Sequence, residues 1–204
     1  MGIRAVVFDI GGVLEITEEM TFTRDWEAKL GLAEGEIGRR LADVWAGGSI
    51  GSVSEDQVHR EIGDRLGLSG AQVELMMSQM WTEYLGVAND ELIAYLRGLR
   101  LRYRTGILSN SFVGARAREQ EAYGFPALVD DLVYSHEVGM NKPDPRIYQL
   151  TCTRLRVAPE ETIFLDDLEI NVSGAIEVGL HAVLYRNNLQ AVAEIEAIIS
   201  ADVT

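Results

Sequence analysis

Apolar residues along this chain fall into two kinds of pattern. Five short runs are apolar nearly throughout: IRAVVF at 3–8, RTGILS at 104–109, LVYS at 132–135, TIFL at 162–165 and HAVLY at 181–185. A strand covered on both faces reads this way, whereas a strand with one solvated face alternates. Between the runs lie stretches with apolar residues at helical spacing: DELIAYLRGL, FVGARAREQEAYG, DPRIYQLTCTRLR and EINVSGAIEVG. Strand and helix in alternation predict a doubly wound α/β core around a parallel sheet.

One segment breaks the alternation. Residues 16–87 follow the first strand directly, contain no strand-like run, and read as helices alone. In AQVELMMSQMWTEYL, Val73, Met76, Met77, Met80, Trp81 and Tyr84 recur at three-and-four spacing, the stripe of an amphipathic helix packed against a core. TFTRDWEAKLG, EIGRRLADVWAG and SEDQVHREIGDRLG complete a four-helix insert. SVSE offers a capping-box start at Ser52 or Ser54, and the glycine pair at 47 and 48 a stop. The domain reading is therefore a core of residues 1–15 and 88–204 with a helical cap, 16–87, over the rim where open α/β sheets bind ligands.

Composition narrows the classes of function. A hydrophobic content of 47% over 204 residues suits an ordinary globular chain. A formal net charge of -14 argues against nucleic acid, whose backbone demands a basic face. No run reaches membrane-spanning length, and MGIRAV has Val6 where a myristoylation signal wants Ser or Thr. The single cysteine, Cys152, can form neither an intramolecular disulfide nor a CxxC site, and its helical setting makes it a core residue. A reducing, cytoplasmic location is the expectation.

The chemistry belongs at the carboxyl ends of the strands. The first delivers Asp9, the second Ser109 and Asn110, the fourth the adjacent pair Asp166 and Asp167, and Lys142 follows the third in GMNKPDP. A single Asp or Ser after a strand is usually a turn former or helix cap. Two adjacent acids after an apolar strand repel each other and lose solvation, at a cost of several kcal/mol that a bound cation removes. Lys142 is one of only two lysines in the chain, the other being Lys29, and marks a place where a compact positive charge is wanted. All-oxygen ligands of this hardness suit Mg²⁺. Beside such charges Asp9 can attack a phosphorus atom, while Ser109 and amides near Asn110 hold the phosphoryl oxygens.

The set FDIGGVL, ILSNS, Lys142-Pro143 and FLDD, in this order, resembles the haloacid dehalogenase superfamily over about residues 3–186. The resemblance implies sheet order 5-4-1-2-3 and a helical cap after the first motif. It implies Asp9 as nucleophile, and a Mg²⁺ site of Asp9, the Gly11 carbonyl, Asp166 and Asp167, with Asp167 ranked above Asp166 as direct ligand. It assigns the second motif to Ser109 and the third to Lys142. FDxGG-type openings are similar to bacterial sugar-1-phosphate phosphatases and, more distantly, to the phosphatase domain of epoxide hydrolase.

The family's usual first motif is DxD, and here Gly11 stands at the second acid. In the matching phosphatases that acid protonates the leaving alkoxide, a contribution of roughly 10²- to 10⁴-fold. A good leaving group needs it less. Three readings follow: a Mg²⁺-dependent phosphatase of a small phosphorylated metabolite, such as a sugar phosphate; a metal-free haloacid dehalogenase, against which the Asp166–Asp167 pair counts; and a catalytically weak member that binds a ligand. Glu15, Arg24, Trp26 and Trp45 are the candidates for setting specificity. His59 reads as part of a solvated helix face, and His136 follows the third strand without an evident partner. Substrate identity and oligomeric state are not encoded in these patterns.

Overall fold

In the computed structural model, which describes residues 2–201, the chain opens with strand β1 (Ala5–Phe8) and a two-residue strand β2 (Glu15–Ile16). Five helices follow: α1 (Phe22–Leu30), α2 (Glu36–Arg40), α3 (Ala42–Ser49), α4 (Glu55–Leu66) and α5 (Gly70–Tyr84). After the short strand β3 (Val87–Ala88) the alternation begins: α6 (Asp90–Leu99), β4 (Arg104–Ser109), α7 (Ala115–Tyr123), β5 (Asp131–Tyr134), α8 (Ser135–Val138) and α9 (Pro145–Leu155). It ends with β6 (Thr162–Asp166), α10 (Glu169–Val178), β7 (His181–Leu184) and α11 (Asn188–Ala201).

The main sheet runs β5-β4-β1-β6-β7, with all four pairings parallel. Counted among the five long strands, this is the expected order 5-4-1-2-3. β1 lies at its centre, and its alternating side chains explain the unbroken apolar run. Val6 and Phe8 pack on one face with Leu92, Leu96 and Ile195 of α6 and α11, and Ala5 and Val7 on the other with Ile147, Tyr148 and Ala175 of α9 and α10. Both faces are dry. Cys152 is buried in the second of these clusters, as its helical spacing suggests.

The insert has its own apolar cluster, built from Trp26, Ile37, Leu41, Val58, Ile62, Met76, Met77, Met80 and Trp81, and it reaches the core chain through Phe112, Val113 and Ala115. Three details differ from the sequence reading, and a fourth is decided between its two alternatives. EIGRRLADVWAG is two helices, divided at Leu41 (φ −111°, ψ 11°), whose N bonds Ile37 O to close the first helix and whose O accepts from Trp45 N to open the second. Gly47 and Gly48 do not end the helix but lie inside α3. A Cβ on Gly48 would come within 2.1 Å of the Phe112 ring, so the glycine permits close approach of insert and core. The capping box starts at Ser54, not Ser52. Finally, the insert is rooted in a strand pair, since β2 and β3 are antiparallel, with Glu15 opposite Ala88 and Ile16 opposite Val87. Asn89 ties that root to the core, its Nδ2 donating to Val13 O (2.8 Å) and Asn188 Oδ1 (2.8 Å). Among the described residues no helix is long and apolar enough to cross a membrane.

Candidate active site

Parallel strands deliver their last residues to one edge, so β1, β4 and β6 bring Asp9, Ser109 and Asp166 together although they are far apart in sequence. The turn after β1 is built by its second glycine. Gly12 has φ +74°, and a Cβ there would lie 2.4 Å from Asp167 Oδ2, so the glycine makes room for that carboxylate. Gly11 is different. Its φ is not in the left-handed region, and a Cβ on it would meet nothing within 4 Å.

Lys142 Nζ is the hub. It lies 2.7 Å from Asp9 Oδ1, 2.7 Å from Asp166 Oδ2 and 3.0 Å from Leu108 O, with its side chain fully buried. Desolvating an ammonium is costly, and here two carboxylates and a carbonyl saturate its three donors. Asn110 holds the lysine's backbone reciprocally: Lys142 N donates to Asn110 Oδ1 (2.7 Å), and Asn110 Nδ2 donates to Lys142 O (3.0 Å). Asp166 is also fully committed, since its Oδ1 accepts from Leu168 N (2.8 Å) and Asn171 Nδ2 (3.0 Å). Ser109 is buried beside Asn110, with its Oγ 3.3 Å from Asn110 O.

The carboxylates of Asp9, Asp166 and Asp167 each offer an oxygen within 4.8 Å of the others. Lys142 does not balance them. Asp9 is pushed up to about 8, by burial first, with Lys142 pulling down and Asp166 pushing further up. Asp167 is raised by burial and then by Asp166. Asp9 and Asp167, which resist ionisation beside a lysine, leave room for another positive charge, and oxygen donors alone fit a hard divalent cation. With Asp166 held by three protein donors, half-buried Asp167 and the rim oxygen of Asp9 are its freer acceptors.

Next to Gly11, a pocket of about 170 Å³ is lined by Ile10, Gly11, Glu15, Thr17, Met20, Tyr84, Ser109, Asn110 and Glu119. Burial, followed by the charges of Glu119 and Asp9, pushes Glu15 up to about 8. Burial also pushes Glu119 up to about 7 against the pull of Tyr134, whose hydroxyl donates to Glu119 Oε2, and of Tyr84. Sequence reasoning missed Glu119, which in REQEAY reads as a solvated helix face. The available signal was its i+4 relation to Ala115 and Tyr123.

The other specificity candidates lie elsewhere. Trp26 is buried and donates from Nε1 to Gln79 Oε1 (2.7 Å), Trp45 packs against Phe22 and Phe112, and Arg24 pairs with Glu19 at the surface. His59 is only partly exposed and lies 3.2 Å from Glu74 Oε1. His136 has a partner after all in Ser111 Oγ, 2.6 Å from its Nδ1.

Comparison with known proteins agrees with this architecture. A family profile described as haloacid dehalogenase-like hydrolase matches residues 3–179. The chain is 29% identical to D-ribitol-5-phosphate phosphatase of Bacteroides thetaiotaomicron, over 98% of this chain and the whole of that protein. It is also 29% identical to mouse acyl-CoA dehydrogenase family member 10 over 96% of its length, but spans only about a fifth (19%) of that longer protein. Among solved structures, a HAD-family enzyme of Bacteroides thetaiotaomicron in complex with magnesium and inorganic phosphate superposes with a TM-score of 0.78. That pair is 22% identical, with 94% of this chain and 99% of the other covered.

Proposed function

The chain belongs to the haloacid dehalogenase-like hydrolases, and within that family we propose that it is a Mg²⁺-dependent phosphatase of a small phosphorylated metabolite, a sugar or polyol phosphate. The observation that carries the reading is the charge arrangement at the rim: one buried ammonium shared by Asp9 and Asp166, with a third carboxylate beside them. Relatives support it, since one is a polyol phosphate phosphatase and a structural neighbour holds magnesium and phosphate.

Asp9 is the nucleophile. Its carboxylate oxygen forms a bond to phosphorus as the bond from phosphorus to the leaving oxygen breaks, giving an aspartyl-phosphate that water then hydrolyses. The backbone orients that carboxylate, with Ile10 N donating to Asp9 Oδ1 (2.7 Å). Lys142, held by Asn110, screens the phosphoryl charge, and the Ser109 hydroxyl binds a phosphoryl oxygen. Asp9, Asp167, Asp166 and the Gly11 carbonyl would hold Mg²⁺, which supplies further neutralisation of the phosphoryl oxygens.

Phosphate release from a panel of sugar, polyol and aryl phosphates tests this reading. Turnover is expected with Mg²⁺, is expected to stop on chelation, and to fall at least about 1,000-fold in a folded Asp9→Asn protein. Turnover indifferent to chelator, accompanied by chloride release from a 2-haloacid, would replace it with a dehalogenase.

A further inference from the structure

The pocket beside Gly11 holds two carboxyl groups that the phosphoryl chemistry does not use. Glu15 is 1% exposed and Glu119 is fully buried, and each keeps an oxygen, Glu15 Oε2 and Glu119 Oε1, with no hydrogen-bond partner. Orphaned acceptors of this kind are rare because each costs about 1–3 kcal/mol. Their positions come from different elements. Glu15 is in β2 at the root of the insert and Glu119 is in the core helix α7, yet both line one cavity with Tyr84 of α5. That cavity also includes Ser109, Asn110 and Gly11, so it opens beside the position of the phosphoryl group.

Resting on the phosphatase reading, we propose that this pocket receives the substrate's leaving group and selects one that is uncharged and rich in hydroxyls, bound by Glu15 Oε2 and Glu119 Oε1. Size supports the choice. A volume of about 170 Å³ holds on the order of six waters, enough for a short polyol or a single sugar. Charge supports it as well, because no lysine, arginine or histidine among the described residues lines the cavity. A second phosphate or a carboxylate would enter a site with two acids and no counter-charge, an arrangement that rejects bisphosphates. An alkyl chain would fit sterically but leave both carboxyl oxygens unpaired, and sites built to bond hydroxyls discriminate strongly against analogues without them.

The experiment compares kcat/KM for a pentitol phosphate, n-pentyl phosphate of the same chain length, ribulose 1,5-bisphosphate and p-nitrophenyl phosphate, all with Mg²⁺. The pentitol ester is expected to exceed the pentyl ester by about 100-fold and the bisphosphate by at least about tenfold. Glu15→Met, which keeps the length of the side chain and removes its oxygens, is expected to reduce the pentitol-to-pentyl ratio at least about tenfold. The wild-type ratio needs no variant, so a misfolded Glu15→Met protein leaves the test intact. Hydrolysis of the aryl ester with equal or better use of the pentyl ester overturns the subsite and leaves the phosphatase standing. Failure to hydrolyse any of the four overturns both.

Discussion

Asp166 and Glu15 are equally hidden from solvent, at 0% and 1% exposure, yet their surroundings are opposite. Around Asp166 every oxygen has a donor: an ammonium, a backbone amide and an asparagine side chain. Around Glu15 and Glu119 donors are short, and burial dominates the behaviour of both. The first arrangement is complete in the protein alone and serves to hold charges in place for chemistry. The second is incomplete without something else in the cavity. Burial by itself therefore does not distinguish a framework carboxylate from a recognition carboxylate; the count of donors does.

Removing the hub of the saturated cluster gives the largest effect. In Lys142→Met, Asp9 and Asp166 face each other without the ammonium, and breaking such a buried set costs roughly 3–5 kcal/mol. Urea unfolding in the presence of chelator is expected to register that loss, with phosphatase turnover down at least about 1,000-fold. Unchanged stability would mean that the lysine does not stabilise the fold through these two carboxyls.

A smaller effect is expected at the unsaturated cluster, and with a specific dependence on pH. The folded-state value of Glu119, about 7, lies above its ordinary 4.5. Its contribution to stability is therefore full below pH 4.5 and is lost as the pH rises through about 7, with a total of up to about 3 kcal/mol. Glu119→Gln removes this loss. The variant's unfolding midpoint should gain on the wild type at pH 8 relative to pH 5, and parallel behaviour at both pH values would show that Glu119 ionises freely in the fold.

Gly11 lies between the clusters and allows the smallest, sharpest test. Because a Cβ there meets nothing within 4 Å and the backbone is not left-handed, Gly11→Asp is sterically accommodated. A carboxyl at this position can protonate a departing alkoxide, so alkyl phosphates should gain roughly tenfold over aryl phosphates relative to wild type. A series of esters of graded leaving-group pKa on both proteins measures it. Identical slopes would mean that the wild type already has a proton donor.

Much of this was legible in the residue pattern, for identifiable reasons. β1 reads as a central strand because Ala5, Val6, Val7 and Phe8 are all buried, with an apolar cluster on each face. Asp9, Lys142 and Asp166 stand out because charges after apolar strands need compensation. The break at Leu41 has no comparable marker, since no proline stands at or beside it. Gly48 looked like a stop because a glycine's use in close approach depends on its neighbour, here Phe112, which is distant in sequence. Glu119 was hidden for the same reason: its meaning comes from Glu15 and Tyr134, which helix periodicity cannot show. The strand pair of β2 and β3 escaped because two residues carry no alternation to read.

The central place of β1 also sets a schedule. Its neighbours in the sheet are β4 and β6, with Ala5 beside both Arg104 and Thr162. On a ribosome the strand leading to Asp9 emerges before its second partner and stays without it until residues 162–166 have been made, roughly 10–30 s later. Throughout that interval one edge of β1 has no partner, while the helical insert, whose contacts are mostly local, can already fold. The acidic cluster is thus completed only with β6, and a nascent chain stalled before β6 carries Asp9 without Asp166 or Asp167 beside it.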